Sequence, residues 1–588
     1  MAEPIQVDFS GGSGRKAPQK KAPIIPPERA GLRVLLSLVG AVLTAAIGYY
    51  IMLPPLNFKA LEFYYYLALV FGSFIVLLFL LCRTGRNPEC VPYVRRKAII
   101  PGAIIVVMAV FVGLAWVFSS PFFHATRYSE IMKVKENSNF AEDIKEPDFS
   151  SIPKMDETAA KVVAGRTLGD LAKHVSQFVI SESNTLINYK KKPVRVMTLG
   201  YADLIKWLTN TGKGLPGYVV VDMASEESKF VELPEDGRIR YSDAEHFNHL
   251  LKRHLRFLYP TYMFGTPNFE IDDKGVPYWV APRMNKTIGL LGGEDVVGVV
   301  LVNAITGKCA EYPIDKVPQW IDRVYNATLL ELQYSYYGKY AGGFWNSLLG
   351  QKGVKINTQG YAYLAQDDDV KMYTGVTSVK GDQSIIGFIM VNQRTKETNA
   401  YRTNGANELS AEEVAQGLVS DLKWKASFPL LVNVSGQPTY FISLKDQTDG
   451  GVTGVVQGYA MVNVEQSNKI KVWAKDLGNC INTYVNALNE NGIKADEVVL
   501  EEPPEGPDTT TPPAATTVIG TIADIRSAVI NGNTAYYIQL EGSGAWYTVT
   551  AAKAPIAVLL NTGDKVAIEY APAETGLAVP AINILVQE

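Results

Sequence analysis

Gly298-Val299-Val300-Leu301-Val302-Asn303 is a glycine, four apolar residues in succession and one side-chain amide. Such a run predicts a buried strand, and its terminal Asn predicts a turn. The pattern returns as Gly217-Tyr218-Val219-Val220-Val221-Asp222, Gly387-Phe388-Ile389-Met390-Val391-Asn392 and Gly458-Tyr459-Ala460-Met461-Val462-Asn463. Successive glycines stand 81, 89 and 71 residues apart. These intervals exceed solenoid periods and predict repeated small α+β modules instead of a superhelix.

Outward from each copy the surroundings also recur. Upstream of three copies lies a strand with an aromatic centre: Pro277-Tyr278-Trp279-Val280, Lys371-Met372-Tyr373-Thr374-Gly375-Val376 and Pro438-Thr439-Tyr440-Phe441-Ile442-Ser443-Leu444. Pro193-Val194-Arg195-Val196 is a degenerate first version. Downstream comes a turn such as Thr306-Gly307-Lys308 or Arg394-Thr395-Lys396, a short strand near Tyr312 or Tyr401, then a helix. Ser242 with Glu245, and Ser410 with Glu413, have capping-box spacing and predict two helix starts. Trp320, Ile321, Val324, Tyr325 and Leu329 predict the apolar stripe of another helix. Leu168, Leu171, Ala172, Val175, Phe178 and Val179 predict a helix leading into the body. The expected unit is strand, strand, strand, helix, an antiparallel sheet covered on one face by a helix. Four such modules are expected at 159–265, 266–350, 351–425 and 426–495, after a polar stalk or cover segment at 119–158.

In topology and size this unit resembles PepSY-type and cystatin-like α+β modules. At closer range, residues from about 150 to 488 resemble an uncharacterised group of Gram-positive membrane proteins, loosely labelled cell-shape or Tat-signal proteins. The stretches that carry the resemblance are Pro193-Val194-Arg195-Val196, Arg253-His254-Leu255-Arg256-Phe257, Phe269-Glu270-Ile271-Asp272, Pro277-Tyr278-Trp279-Val280 and Gln437-Pro438-Thr439-Tyr440-Phe441. It implies a place in a bacterial envelope, although no twin-arginine signal is present.

Residues 496–517 are acidic and rich in Pro and Thr, the composition of a semi-rigid tether. Beyond them, 518–588 alternates apolar and polar residues in five short runs, with a hairpin turn at Asn531-Gly532-Asn533 and a brief helical piece near Ala554 to Leu560. This resembles an OB-fold barrel. Tyr536, Tyr537, Trp546 and Tyr547 form its expected binding surface. Arg526, Lys553 and Lys565 are its only cations, too few for a nucleic-acid groove, so sugar or peptide binding fits the rings better.

Ahead of the modules, Val34 to Leu53, Phe63 to Cys82 and Ala98 to Phe118 are apolar runs long enough to cross a bilayer. The first lacks the features of a cleaved signal sequence and is expected to be retained. Arg15, Lys16, Lys20, Lys21, Arg29 and Arg33 precede it, and Arg83, Arg86, Arg95, Arg96 and Lys97 separate the second run from the third. Lys59 alone separates the first two runs. The positive-inside rule therefore predicts a cytoplasmic tail at 1–33, three spans within 34–118, and an extracytoplasmic remainder. No ionisable group sits at span depth, which favours an anchor or assembly surface over a transporter. Gly40, Gly48, Gly102 and Gly113 offer places for close helix packing.

The expected fold class is thus membrane α plus extracytoplasmic α+β modules and a small all-β OB-like barrel. A formal charge of −3 excludes the basic excess of a nucleic-acid wrapper, and four cysteines exclude a disulfide scaffold. Cys309 and Cys480 are the candidates for one disulfide. His246, His249 and His254 lie on a predicted helix without a shared metal face, and no H-E-x-x-H is present. Asp272-Asp273 and Asp367-Asp368-Asp369 lack EF-hand spacing and read as acidic turns. No catalytic set, metal site or cofactor is expected. The partners expected are the lipid bilayer and an envelope protein or glycan, with no nucleic acid. The expected role is a membrane-anchored binding or scaffold protein. The alternatives are an accessory subunit of a secretion or transport complex, or an envelope hydrolase for which His246, Glu245 and Asp222 are the first residues to test.

Overall fold

The computed structural model describes residues 24–149, 151–169, 171, 176–366, 368–379, 384–448, 451–495, 516–530, 533–550, 554–570 and 578–586. The basic tail up to Lys21, most of the Pro/Thr tether, Asp367 and the Asn531-Gly532 turn lie outside them. The described residues up to 495 form one compact unit and those from 516 another.

Helices α1 (Ala30–Met52), α2 (Leu61–Leu81) and α3 (Val91–Phe118) have the length and apolarity to cross a membrane, with mean hydropathy 2.1, 2.3 and 2.7. Gly40 and Gly48 of α1 meet Leu77, Tyr66 and Leu69 of α2, whereas Gly102 and Gly113 of α3 have no neighbour a methyl group would touch. The loop between α1 and α2 and the end of α3 both dock on the α+β body. Leu56 N donates to Pro260 O at 2.8 Å, and Lys59 Nζ donates to Lys286 O at 2.6 Å. The backbone amides of Leu290 and Leu291 donate to Ser119 Oγ at 3.0 and 3.1 Å. Arg256 is buried and fastens the same junction, donating through Nε to Leu53 O at 3.0 Å and through Nη1 to Tyr262 O at 2.6 Å.

The described part of residues 119–158 packs on the body. Helix α4 (Pro121–Ser129), a short strand Val134–Lys135, α5 (Phe140–Asp143) and the buried Ile144, Phe149 and Ile152 strap the body before α6 (Glu157–Gly169). Phe178 and Val179, expected on that helix, instead begin the strand Phe178–Tyr189, where Phe178 pairs with Tyr201. Ala172 and Val175 lie outside the described residues.

Four mainly antiparallel sheets follow, each holding one copy of the Gly-apolar-Asn/Asp strand; in the third, Val134–Lys135 joins in parallel with Thr398–Tyr401. Sheet I is Phe178–Tyr189, Lys192–Tyr201, Gly217–Asp222 and Ser228–Glu232. Sheet II centres on Pro277–Ile288 and Gly292–Asn303, sheet III on Asp369–Ser378 and Gly387–Asn392, and sheet IV on Gln437–Thr448 and Gly451–Asn463. The repeated glycine has a steric cause. A methyl group on Gly217, Gly298, Gly387 or Gly458 would stand 2.8 Å or less from the carbonyl oxygen of Val231, Tyr312, Tyr401 or Ala474 on the next strand. The repeated Asn/Asp is an Asx turn in every copy. Asp222 Oδ1 accepts from the amides of Ala224 and Ser225, Asn303 Oδ1 from Ile305 and Thr306, Asn392 Oδ1 from Arg394 and Thr395, and Asn463 Oδ1 from Glu465 and Gln466.

The uninterrupted apolar runs arise because sheets cover sheets. Val300 and Val302 pack with sheet I, while Val299 and Leu301 on the same strand pack with sheet III. Likewise Ile389 and Val391 face sheet II, and Phe388 and Met390 face sheet IV. For sheets II and III the expectation of one helix-covered face therefore gives way to burial on both faces by neighbouring sheets.

Several helix starts also differ. Ser242 and Glu245 precede α8 (Leu251–Leu258) in a segment that packs on α7 (Leu204–Asn210) through His246 and Trp207. Trp320 to Tyr325 form an irregular segment before α9 (Ala327–Tyr340), which Asn326 caps. Asn407, not Ser410, caps α10 (Glu408–Leu418) by accepting from Ser410 N at 2.8 Å. Helix α11 (Leu477–Glu490) closes sheet IV, with Tyr484 fully buried. Its hydroxyl lies 2.8 Å from Thr439 Oγ1 and accepts from Asn463 Nδ2 at 3.2 Å. Tyr484→Phe deprives Asn463 Nδ2 of its acceptor, while Thr439 Oγ1 keeps Gln437 O at 3.1 Å, and is expected to cost about 1–2 kcal/mol, read as a lower melting temperature of the detergent-solubilised chain.

In the C-terminal unit, Thr516–Ile530, Asn533–Leu540, Trp546–Thr550, Ala578–Val586 and Lys565–Tyr570 pair in a closed ring. A short 3-10 turn covers Pro555–Val558.

Candidate binding site

A cavity of about 280 Å³ opens where sheets I, III and IV meet the start of α6. Arg195 enters it from the centre of sheet I, flanked by the buried Val194 and Val196. Its Nη1 donates to Glu157 Oε2 at 3.2 Å and to Asn184 Oδ1. Its Nε is buried and finds no partner among the described residues. Burial presses the Arg195 pKa downward, opposed by the charge of Glu157. Desolvation of Glu157 acts upward but is outweighed by Arg195, Asn184 and Lys161, so this carboxyl lies below its ordinary value.

Arg323 reaches the same cavity from the irregular segment before α9. Its guanidinium lies 4.2 Å from the Tyr363 ring centre, and Nη2 donates to the Tyr363 hydroxyl at 2.9 Å. Its Nε is also buried without a partner. Asp156 caps α6 by accepting from Ala159 N at 2.8 Å and pairs with the buried Lys445. The two lining serines are committed to the backbone. Ser443 Oγ donates to Lys154 O at 2.5 Å, and Ser427 Oγ accepts from Ser443 N at 3.1 Å.

Beside Arg323 lie two carboxyls shut away from solvent. Glu270, in the strand Asn268–Ile271, accepts from the amides of Asp322 and Arg323 at 2.9 and 3.0 Å. Asp322 Oδ2 accepts from Asn188 N at 2.6 Å, and its Oδ1 has no partner among the described residues. Burial pushes Glu270 up to about 7, against the pull of those amides and Arg323. Asp322 is also raised, by burial and then by the charge of Glu270.

The structure divides the aromatic set expected on the C-terminal unit. Tyr547 is buried and Tyr536 packs against the same core. Tyr537 and Trp546 are half-buried on the opposite face of their strands, where the Arg526 guanidinium lies 5.0 Å from the Trp546 ring centre. Cys309 and Cys480 are not brought together and are free thiols. Cys309 Sγ lies 3.8 Å from His254 Nε2, and Cys480 Sγ donates to Tyr459 O at 3.3 Å. Burial pushes their thiols up to about 11 and about 12, which disfavours the reactive thiolate.

Of the three histidines, His254 lies on α8, His249 ends the 3-10 turn Phe247–His249, and His246 precedes that turn. His254 and His249 pack on Tyr241, while His246 packs on Trp207. Glu245 is buried and accepts from Tyr201 Oη at 2.6 Å and Trp207 Nε1 at 3.0 Å. Asp222 serves its Asx turn, so these three residues occupy separate local roles. Asp272 closes a turn by accepting from Lys274 and Val276 amides, and Asp369 pairs with Arg394. Among the described residues, no group of three His, Cys, Asp or Glu is placed to hold a metal ion.

The residues that sequence reasoning missed are Glu157, Arg195, Glu270, Asp322 and Arg323. A usable signal was present in two of them: Arg195 in Val-Arg-Val and Glu270 in Phe-Glu-Ile are lone charges inside apolar strands. No known family model matches the chain, and no curated protein matches it either.

Proposed function

We propose that this chain is a membrane-anchored, extracytoplasmic binding or scaffold protein of a bacterial envelope. It performs no chemistry of its own and recruits a protein or glycan partner. The observation that carries this reading is the commitment of the cavity's reactive groups to one another. Glu157 is held by Arg195, Asp156 by Lys445, and both serines by backbone groups. A hydrolase needs a nucleophile within reach of a base, whereas two guanidinium groups whose Nε atoms have no partner among the described residues suit recognition of an anionic group.

The extracytoplasmic placement follows from the cation-rich loop between α2 and α3 set against the single Lys59 between α1 and α2. Within this proposal the four sheets are PepSY-like modules fused into one platform, and the C-terminal ring is an OB-like barrel that presents Tyr537, Trp546 and Arg526.

Protease added outside protoplasts is expected to remove the chain beyond residue 119, and protection of that region would sink the placement. In the full chain in nanodiscs, Trp546→Ala is expected to weaken binding to isolated cell-wall glycan or to a crosslinked envelope partner about tenfold, the loss typical of an aromatic anchor. Unchanged binding would remove the C-terminal face from the proposal. Release of soluble fragments from the glycan, abolished by changing one acid or histidine, would favour the hydrolase alternative.

A further inference from the structure

Both ends of the helix bundle that meet the body are flanked by exposed apolar side chains from distant parts of the sequence. On one side, Phe257 of α8 packs on Tyr49 and Tyr50 at the end of α1, at 5.9 and 6.2 Å between ring centres. Arg253 lies 4.0 Å from the Tyr50 ring centre and donates through Nη1 to Phe247 O at 2.6 Å. The Phe247 ring is 5.8 Å from Trp207, the buried residue of α7. Helix α7 turns Leu204, Ile205 and Leu208 outward, with Ile205 69% exposed.

On the other side, Phe122, just past the end of α3, packs on Phe344 and Trp345 at 5.2 and 6.0 Å. The single turn Asn346–Gly350 follows and exposes Leu348 and Leu349, the latter 76% exposed. Two ridges more than 80 residues apart in sequence thus abut the helix bundle at its body-side end.

A spanning helix leaves the hydrocarbon near its last apolar turn, so Tyr50 and Phe118 mark the lipid boundary. Side chains one or two ring contacts away stand near the same level. Exposed to water, these large apolar groups are unfavourable in proportion to their area; at the acyl–headgroup boundary that cost disappears. Charge agrees with this placement. A cavity of about 310 Å³ between the α1–α2 loop and the body is lined by Lys59, Lys252, Arg256 and Lys286 against Glu62 and Glu294, an excess of cations suited to anionic headgroups.

The geometry points to a body that lies on the bilayer, with the α7–Phe247–α8 ridge and the 344–350 ridge dipping into lipid on either side of the bundle. This rests on α1–α3 spanning the membrane. The full chain, with p-benzoylphenylalanine in place of Ile205, Leu349, Val110 or Leu422, is photolysed in nanodiscs of phosphatidylcholine and phosphatidylglycerol. Positions 205 and 349 are expected to form lipid adducts at no less than about half the yield of position 110 in α3, and position 422 almost none. Lipid labelling at 110, with 205 and 349 no higher than 422, overturns the inference and leaves the spanning reading intact. Adducts from 205 or 349 to a second copy of the chain or to another protein overturn it as well. A chain unlabelled at 110 removes the spanning reading and this inference with it.

Discussion

Trp279→Ala is expected to destabilise the α+β body by about 3–5 kcal/mol and to lower one shared unfolding transition. Trp279 is 1% exposed, packs edge-on against Phe269 at 5.2 Å, and donates through Nε1 to Tyr241 O at 2.9 Å. It belongs to the layer between sheets I and II, while its neighbour Val280 belongs to the layer between sheets II and III. A void at Trp279 therefore weakens a sheet on which both neighbouring sheets rest. Chemical denaturation of the detergent-solubilised chain, followed by hydrogen exchange in all four sheets, checks this. Destabilisation confined to residues 263–313 would mean that the sheets unfold as independent modules. Trp546→Ala, in the other compact unit and half-buried, is expected to leave exchange in these sheets unchanged.

The motif that predicted buried strands was legible because both of its fixed positions are local necessities. The glycine answers a carbonyl on the adjacent strand, and the Asn or Asp answers two amides within three residues. Helix starts were harder to read. Trp320, Ile321, Val324 and Tyr325 have helical spacing, yet they are irregular, and Ile321, Val324 and Tyr325 are buried by neighbouring sheets. Tertiary burial can impose an apolar pattern that local periodicity mistakes for a helix. Glu245 sits at capping-box spacing from Ser242, but Tyr201 and Trp207, from elsewhere in the chain, take its carboxylate. The cavity was hidden for a related reason. Glu157, Arg195, Arg323 and Tyr363 converge only after sheets I and III are brought to one place, and no short spacing records that event.

Acidification from pH 8 to pH 5 is expected to stabilise the body, with Glu270 and Asp322 among the carboxyls responsible, and Asp322→Asn is expected to remove the part of that gain that Asp322 carries. Both carboxyls are held above their ordinary values in the folded chain, Glu270 at about 7. The folded state therefore retains protons that the unfolded state has released. Stability is greatest below the unfolded carboxylate range of about 4, falls as pH rises toward the folded value, and levels off above it. For Glu270 the penalty above pH 7 is on the order of 3 kcal/mol, at about 1.4 kcal/mol per pH unit of displacement. Arg323 and the backbone amides limit the penalty, while Asp368 and Asp369 add to it at Asp322. An asparagine at 322 keeps an oxygen for the Asn188 amide and withdraws the negative charge facing Glu270. Its melting temperature should exceed that of the parent chain at pH 8 and approach it at pH 5. Glu136 and Glu157, held below their ordinary values, lose their contribution only under more acidic conditions, whereas Glu226, Glu331, Glu408 and Glu412, raised by burial, act in the same direction in both chains and cancel in the comparison. Parallel melting curves for the two chains across pH 5 to 8 would show that the pair is not the source of the dependence.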